Sequence, residues 1–182
     1  MAEGWEDGWR AFHHGVRIGR LWVGPPWEEP PGNAVAVAID PGRAFGTGAH
    51  ATTRLCLELL QEIEPASLLD VGCGSGVLSV AAAKLGFAPA HAVDIDEVAV
   101  ETTRANAAAN GVAVEVGSEL RRASLAVMNI ALDVVEAMLP KLPVERAITS
   151  GYLERDEPRV DGWRRVQRST SDGWAADLLD RD

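Results

Sequence analysis

With 182 residues, 47% of them apolar, the chain has enough material for one globular domain with a real core, preceded by an N-terminal extension. A formal net charge of −10 argues against a free nucleic-acid binder, which would carry a basic patch, and favours cationic partners. Cys56 and Cys73, in neither a C-x-x-C nor a zinc spacing, point to a reduced intracellular chain, no apolar run approaches the roughly 18 residues of a membrane span, and the acidic start MAEGWEDGWR does not read as a targeting segment.

Residues 1–33 hold Trp5, Trp9, Trp22 and Trp27 and the Pro-rich stretch PPWEEPPG, which predicts an irregular wrapper or an edge hairpin. AVAVAI (34–39) reads as a strand closed by Pro41-Gly42. From residue 51, Leu55, Cys56, Leu59, Leu60 and Ile63 recur at helical spacing until Pro65 stops the pattern. The chain then alternates: strand SLLDV (67–71), helix 76–86 ended by Gly86, strand HAVDI (91–95), and an Ala-rich helix 97–110 ended by Asn110-Gly111. Strands VAVEV (112–116) and SLAVMN (124–129), a helix over 131–139, strand AITSG (147–151) and two late strands near 163–168 and 173–179 complete the series. Alternation of this kind predicts an α/β, doubly wound, mostly parallel sheet covered on both faces, because parallel strands need crossover connections. The two late strands predict an antiparallel edge hairpin. The expected division is an extension with an edge strand over 1–43 and the main domain over 44–182.

Chemistry concentrates in three places. The loop AFGTGAHATTRL (44–55) is rich in glycine and precedes a helix, but a phosphate-binding loop needs a Lys-Ser/Thr pair after its last glycine, and here Ala49 and His50 follow Gly48. DVGCGSG (70–76) sits where a strand turns into its helix, the crevice position of a doubly wound sheet, and Gly72, Gly74 and Gly76 let the backbone approach a ligand closely. Such a turn alone can also be a plain tight connection. Asp94, ending the next strand, adds a carboxylate able to accept both hydroxyls of a ribose, which points to a nucleoside ligand. Dinucleotide folds use G-x-G-x-x-G, whereas this turn is G-x-G-x-G with Asp70 just before it. That acid would repel a pyrophosphate but can accept hydrogen bonds from an amino group, so S-adenosylmethionine fits better than NAD.

DVGCGSG with Asp94 resembles the seven-stranded, Rossmann-like class I methyltransferases. AIDPGRAFGTGAHATTRLCLELL (38–60), LLDVGCGSGVLSVAAAKLG, Asn106, Asn110-Gly111, MNI (128–130) and SGYL (150–153) resemble the PrmA family, which methylates large-subunit ribosomal protein eleven. The likeness covers about residues 16–179. It implies S-adenosylmethionine as cofactor and a ribosomal protein as substrate, with no direct nucleic-acid or membrane partner and no metal, in the cytoplasm. Phe45, Gly46, Thr47 and Gly48 would wall the cofactor, Thr52 and Thr53 would stand near its methionine end, and Asp70, Gly72, Gly74, Gly76, Asp94, Ile95, Ser118 and Asn129 would hold the rest.

The resemblance further implies that Asn129, in the Asn-Ile motif, orients the accepting amine through its side-chain oxygen and a neighbouring backbone carbonyl, and that Trp174 stands near the acceptor side. Bland readings exist for each: N-capping for the threonines and for Asn129, a structural role for His50, core packing for Trp174. The family's N-terminal docking domain is expected to be absent, Ser124 stands where an acid is usual, and the compact PKLPVERA replaces a Gly-Gly loop. A small-molecule methyltransferase and a non-catalytic S-adenosylmethionine-binding module remain as alternatives.

Overall fold

A computed structural model describes residues 14–40 and 48–182. β1 (Val16–Ile18) and β2 (Leu21–Gly24) form an antiparallel hairpin, and β3 (Val35–Ala38) joins β2 in parallel, with Val23 opposite Val37. The amino-terminal stretch therefore builds a small three-stranded sheet of its own instead of an edge of the main one. On the far side of β3 no strand follows among the described residues; the Asn110 side chain bonds to that edge, its Oδ1 accepting from the Ala38 N–H and its Nδ2 donating to the Ala38 carbonyl.

The main sheet consists of β4 (Leu68–Val71), β5 (Ala90–Val93), β6 (Glu115–Gly117), β7 (Leu125–Asn129), β8 (Arg146–Leu153), β9 (Trp163–Ser171) and β10 (Trp174–Arg181). Its order is β6-β5-β4-β7-β8-β10-β9, parallel except for β10, which pairs antiparallel with both β8 and β9. This is the doubly wound, seven-stranded sheet with an antiparallel edge hairpin, as expected. α1 (Ala51–Glu62), α2 (Val77–Lys84), α3 (Glu97–Ala109) and α4 (Leu132–Met138) cover it.

Strand alternation decides what each face buries, because successive side chains point to opposite sides. Leu68, Leu125, Val127 and Ile148 meet Leu55, Cys56, Leu59 and Leu60 of α1, and the same core includes Ile18, Leu21, Val23 and Val37 of the small sheet. Leu69, Val71, Ala126 and Met128 face the other way, against Val135, Leu139 and Leu142. The small sheet thus shares a core with the main one.

VAVEV forms a strand only over Glu115–Gly117, later than its alternation predicts. The Val112 N–H bonds back to the Ala107 carbonyl and the Gly111 N–H to that of Ala108, the paired bonds of a glycine-terminated helix end. Val112 and Val114 pack on the core from that connection. Their period-2 pattern reflects helix termination, not a ladder. The late hairpin runs longer than its sequence pattern, over Trp163–Ser171 and Trp174–Arg181.

Candidate active site

A cavity of about 1120 Å³ opens at the carboxyl ends of β4, β5 and β7, where the connections on either side of β4 leave in opposite directions. Its wall includes Thr53, Gly72, Cys73, Gly74, Asp94, Ile95, Ser118, Asn129 and Ile130. Residues from five separate stretches of sequence therefore converge on one crevice. Phe45, Gly46 and Thr47 lie outside the described residues.

The floor is the turn after β4. The Gly72 and Cys73 N–H groups both bond to the Val93 carbonyl, which ties the turn to the end of β5. Gly72 has φ of 79°, and a methyl there would meet the Ile130 side chain at 2.6 Å, so this turn and the β7 end can approach only without it. Asp94 accepts from the Gly74 N–H at 3.0 Å through Oδ2 and from the Asp96 N–H at 3.0 Å through Oδ1. A carboxylate oxygen has two lone-pair directions, so each retains capacity for a ligand hydroxyl. Ile95 is fully exposed at this wall, an apolar surface next to the carboxylate.

Gly48, Thr52, Asp70 and Gly76 do not line the cavity. Gly48 (φ 86°) packs over Val23, and Thr52 is buried at the start of α1, its hydroxyl 2.8 Å from the Nδ1 of His50. His50, not a threonine, is the N-cap of α1, accepting from the Thr52 N–H, and its ring meets Trp174 edge-on at 4.9 Å. Trp174 packs on the core, so both aromatic residues have structural work there. Gly76 caps α2 in the left-handed conformation with Thr103 of α3 pressed against it, closer than any side chain would permit.

Asp70 is buried on the α1 and α2 face of the sheet, its Oδ2 accepting from both the backbone N–H and the hydroxyl of Ser79. Gly76 has no side chain with which to cap α2, and Asp70 supplies the missing acceptor at the positive helix end. Its Oδ1 is buried without a hydrogen-bond partner among the described residues. Burial pushes the carboxyl up to about 7 against the two Ser79 bonds, with a smaller push from Asp94. Burial also pushes the Cys73 thiol up to about 12, so this cavity-wall cysteine is a thiol, not a nucleophilic thiolate.

The opposite wall is the end of β7. Asn129 donates from Nδ2 to the Thr53 Oγ1 at 3.2 Å, while its Oδ1 accepts nothing from the described residues. Thr53, buried at the start of α1, thus ties one end of the amide to that helix and leaves the other unclaimed by the described residues. Sequence reasoning missed this linkage, since nothing in the spacing of 53 and 129 relates them. It also passed over Leu120, Val134 and Met138, which line the cavity and carry no polar signal. Among the described residues no group of three His, Cys, Asp or Glu side chains is spaced to hold a metal ion, and no helix is long and apolar enough to cross a membrane.

A family model described as ribosomal protein L11 methyltransferase (PrmA) matches residues 1–176. The chain belongs to the PrmA family. A ribosomal protein L11 methyltransferase of Symbiobacterium thermophilum is 40% identical, covering 97% of this chain and 65% of the relative. That of Thermoanaerobacter pseudethanolicus is also 40% identical, over 86% of this chain and 56% of its own length. The chain thus spans between half and two thirds of the length of such PrmA relatives. Among solved structures, a ribosomal protein L11 methylase from Lactobacillus delbrueckii subsp. bulgaricus superposes with a TM-score of 0.82 at 26% identity, covering 93% of this chain and 99% of that one. An RNA methyltransferase from Salinibacter ruber, solved in complex with S-adenosyl-L-homocysteine, shares the fold at a TM-score of 0.56 and 20% identity, covering 70% and 88% of the two chains.

Proposed function

We propose that this chain methylates amine nitrogens of a ribosomal protein, with S-adenosylmethionine as methyl donor. One observation carries the reading: a ribose-competent carboxylate and a hydrogen-bond-accepting amide share the same crevice, Asp94 on one side and Asn129 on the other. The residues fit the donor molecule. The Gly72–Gly74 backbone leaves room for close approach, Asp94 retains acceptor capacity for ribose hydroxyls, Ile95 and Ser118 flank the nucleoside side, and the apolar side chains of Val71, Leu78 and Val93 complete the wall. A cavity of about 1120 Å³ exceeds the usual range of roughly 300–1000 Å³ for a small-ligand pocket, leaving space for a second reactant group.

When bound, S-adenosylmethionine supplies a methyl group on a positively charged sulfur, open to in-line attack. The chain's own work is orientation and exclusion of water. A lysine amine must first lose a proton, which costs roughly 4–5 kcal/mol at pH 7 from a reference pKa near 10.4. Asn129 Oδ1 and the Ile130 carbonyl are both acceptors, so they can hold the N–H groups of the neutral amine and direct its lone pair across the crevice. Partial desolvation and a neighbouring positive charge favour that neutral form, so no strong base is needed. The net charge of −10 steers a Lys-rich protein toward the chain over distances that salt shortens.

The test is incubation with labelled S-adenosylmethionine and purified bacterial ribosomal protein L11, followed by mass spectrometry. Methyl groups on amine nitrogens of the protein are expected. Label only on small amines would replace this reading with the small-molecule one, and binding of S-adenosylhomocysteine without any turnover would leave a binding module.

A further inference from the structure

β8 is not a regular strand where it passes the site. Its pairing with β10 runs Tyr152 to Ala175 and then Ser150 to Ala176, so Gly151 is an extra residue with no partner of its own, a β-bulge. Gly151 has φ of 103°, a conformation that L side chains rarely adopt. The bulge is fastened on both sides. The Ser150 hydroxyl donates to the Ala175 carbonyl at 2.7 Å, and the Ser150 carbonyl accepts from the Ile130 N–H at 3.0 Å.

The Ile130 peptide group lies directly over the bare face of Gly151. A methyl at 151 would meet the Ile130 carbonyl carbon at 2.6 Å and its nitrogen at 2.9 Å, with the carbonyl oxygen nearer still. All are backbone atoms, which cannot step aside as a side-chain end can. Ordinary contact begins near 3.4 Å, so the carbonyl carbon would have to withdraw by about 0.8 Å. That carbonyl accepts no hydrogen bond from the described residues, and it adjoins Asn129, whose Oδ1 is equally unclaimed.

We infer that Gly151 is a positioning residue for the acceptor: its missing side chain lets the Ile130 peptide seat against the β8 bulge, holding the Ile130 carbonyl and Asn129 Oδ1 as a fixed pair of acceptors for one amine. This rests on the acceptor reading of Asn129 given above. Gly151 itself touches neither reactant, since it is absent from the cavity wall. The cofactor side, built from the β4 turn and Asp94, does not include this peptide.

Gly151→Ala should therefore lower kcat for ribosomal-protein methylation by about ten- to a hundredfold, the scale of effect expected when a reacting group is misplaced by close to 1 Å. Its Kd for S-adenosylhomocysteine should stay within threefold of wild type. Gly162→Ala is the control: it also has positive φ (76°), but open space surrounds it, so it bears the backbone strain without the collision and should keep wild-type turnover. Should Gly151→Ala not fold, the double variant Ile130→Gly/Gly151→Ala frees the peptide to swing away. It should fold and bind S-adenosylhomocysteine yet methylate at least tenfold more slowly than Ile130→Gly alone.

Wild-type turnover is read first. Its absence on every acceptor sinks the methyltransferase reading itself. Wild-type turnover together with an unimpaired Gly151→Ala, an unimpaired double variant, or equal losses in kcat and cofactor affinity overturns the positioning role.

Discussion

Thr53 carries two readings that one substitution separates. The resemblance implies that its hydroxyl serves the methionine end of the cofactor; in the structure Thr53 lines the cavity and its Oγ1 accepts from Asn129 Nδ2 at 3.2 Å. Thr53→Val keeps the shape of a side chain that is almost fully buried, so no cavity is made. The hydroxyl alone is lost. Asn129 then has no partner holding its amide in one orientation, and a typical protein hydrogen bond contributes about 0.5–1.5 kcal/mol net. Stranding the half-buried Nδ2 adds part of a desolvation cost of about 1–3 kcal/mol, which the amide escapes by rotating and turning Oδ1 away from the acceptor. The expected loss is thus about 1–2 kcal/mol in kcat/KM for the protein acceptor, or roughly 5- to 30-fold. S-adenosylhomocysteine affinity by calorimetry should change less than twofold, and Thr53→Ser, which restores an oxygen, should recover most of the rate. A variant that loses cofactor affinity in proportion to its rate would refute the linkage and return Thr53 to the cofactor.

Asp94→Ala should weaken S-adenosylhomocysteine binding by about 1.5–3 kcal/mol, the range for charged hydrogen bonds, measured by titration calorimetry; unchanged affinity would remove the ribose assignment. For Asp70 the folded state holds the proton up to about pH 7, whereas the unfolded chain releases it near 3.8, so the unfolded state binds fewer protons in between and ligand-free stability falls as pH rises through that window. Asp70→Asn should flatten this dependence, by at most about 4 kcal/mol, in urea unfolding at pH 4.5 and 7.5; a wild type that gains stability over this range through the same residue contradicts the buried neutral carboxyl. Asn110→Ala removes the mock strand pairing with Ala38 and should cost about 1–3 kcal/mol, lowering Tm by roughly 3–10 °C, while an unchanged Tm would mean that water replaces the amide without loss.

Which parts were legible follows from the range of each physical signal. The alternation of strands and helices is local, and every element of the main sheet was recoverable from its apolar period, except where VAVEV answered to the end of α3 instead of to a partner strand. The turn at 70–76 and Asp94 were legible because backbone conformation and a strand-end carboxylate are written in single residues. Nothing local marks a long-range bond. The pairing of Thr53 with Asn129 and the Asn110 amide standing in for a strand both depend on how distant segments meet, and the capture of Asp70 by Ser79 depends on how the turn folds the helix back on its strand. Gly151 is an intermediate case: a glycine inside AITSGYL does signal a bulge or a close backbone neighbour, but not which neighbour.

On the proposed reading, the sheet order accounts for donor and acceptor duties falling on different halves of the chain. β4 is flanked by β5 on one side and β7 on the other, so the crevice above it receives the β4 and β5 turns from one direction and the β7 end from the other. The first half offers a glycine turn and a carboxylate, groups suited to a polar nucleoside. The second offers an amide oxygen and a backbone carbonyl, neutral acceptors that hold an amine without trapping it as an ammonium ion. A carboxylate in place of Asn129 would favour the protonated amine, which has no lone pair for attack, so neutrality at this position serves the chemistry. Gly72 and Gly151 both press against Ile130, one from each half, one against its side chain and the other against its peptide. Ile130, at the wall between the turn after β4 and the β8 bulge, is thus held between two positions that tolerate no side chain.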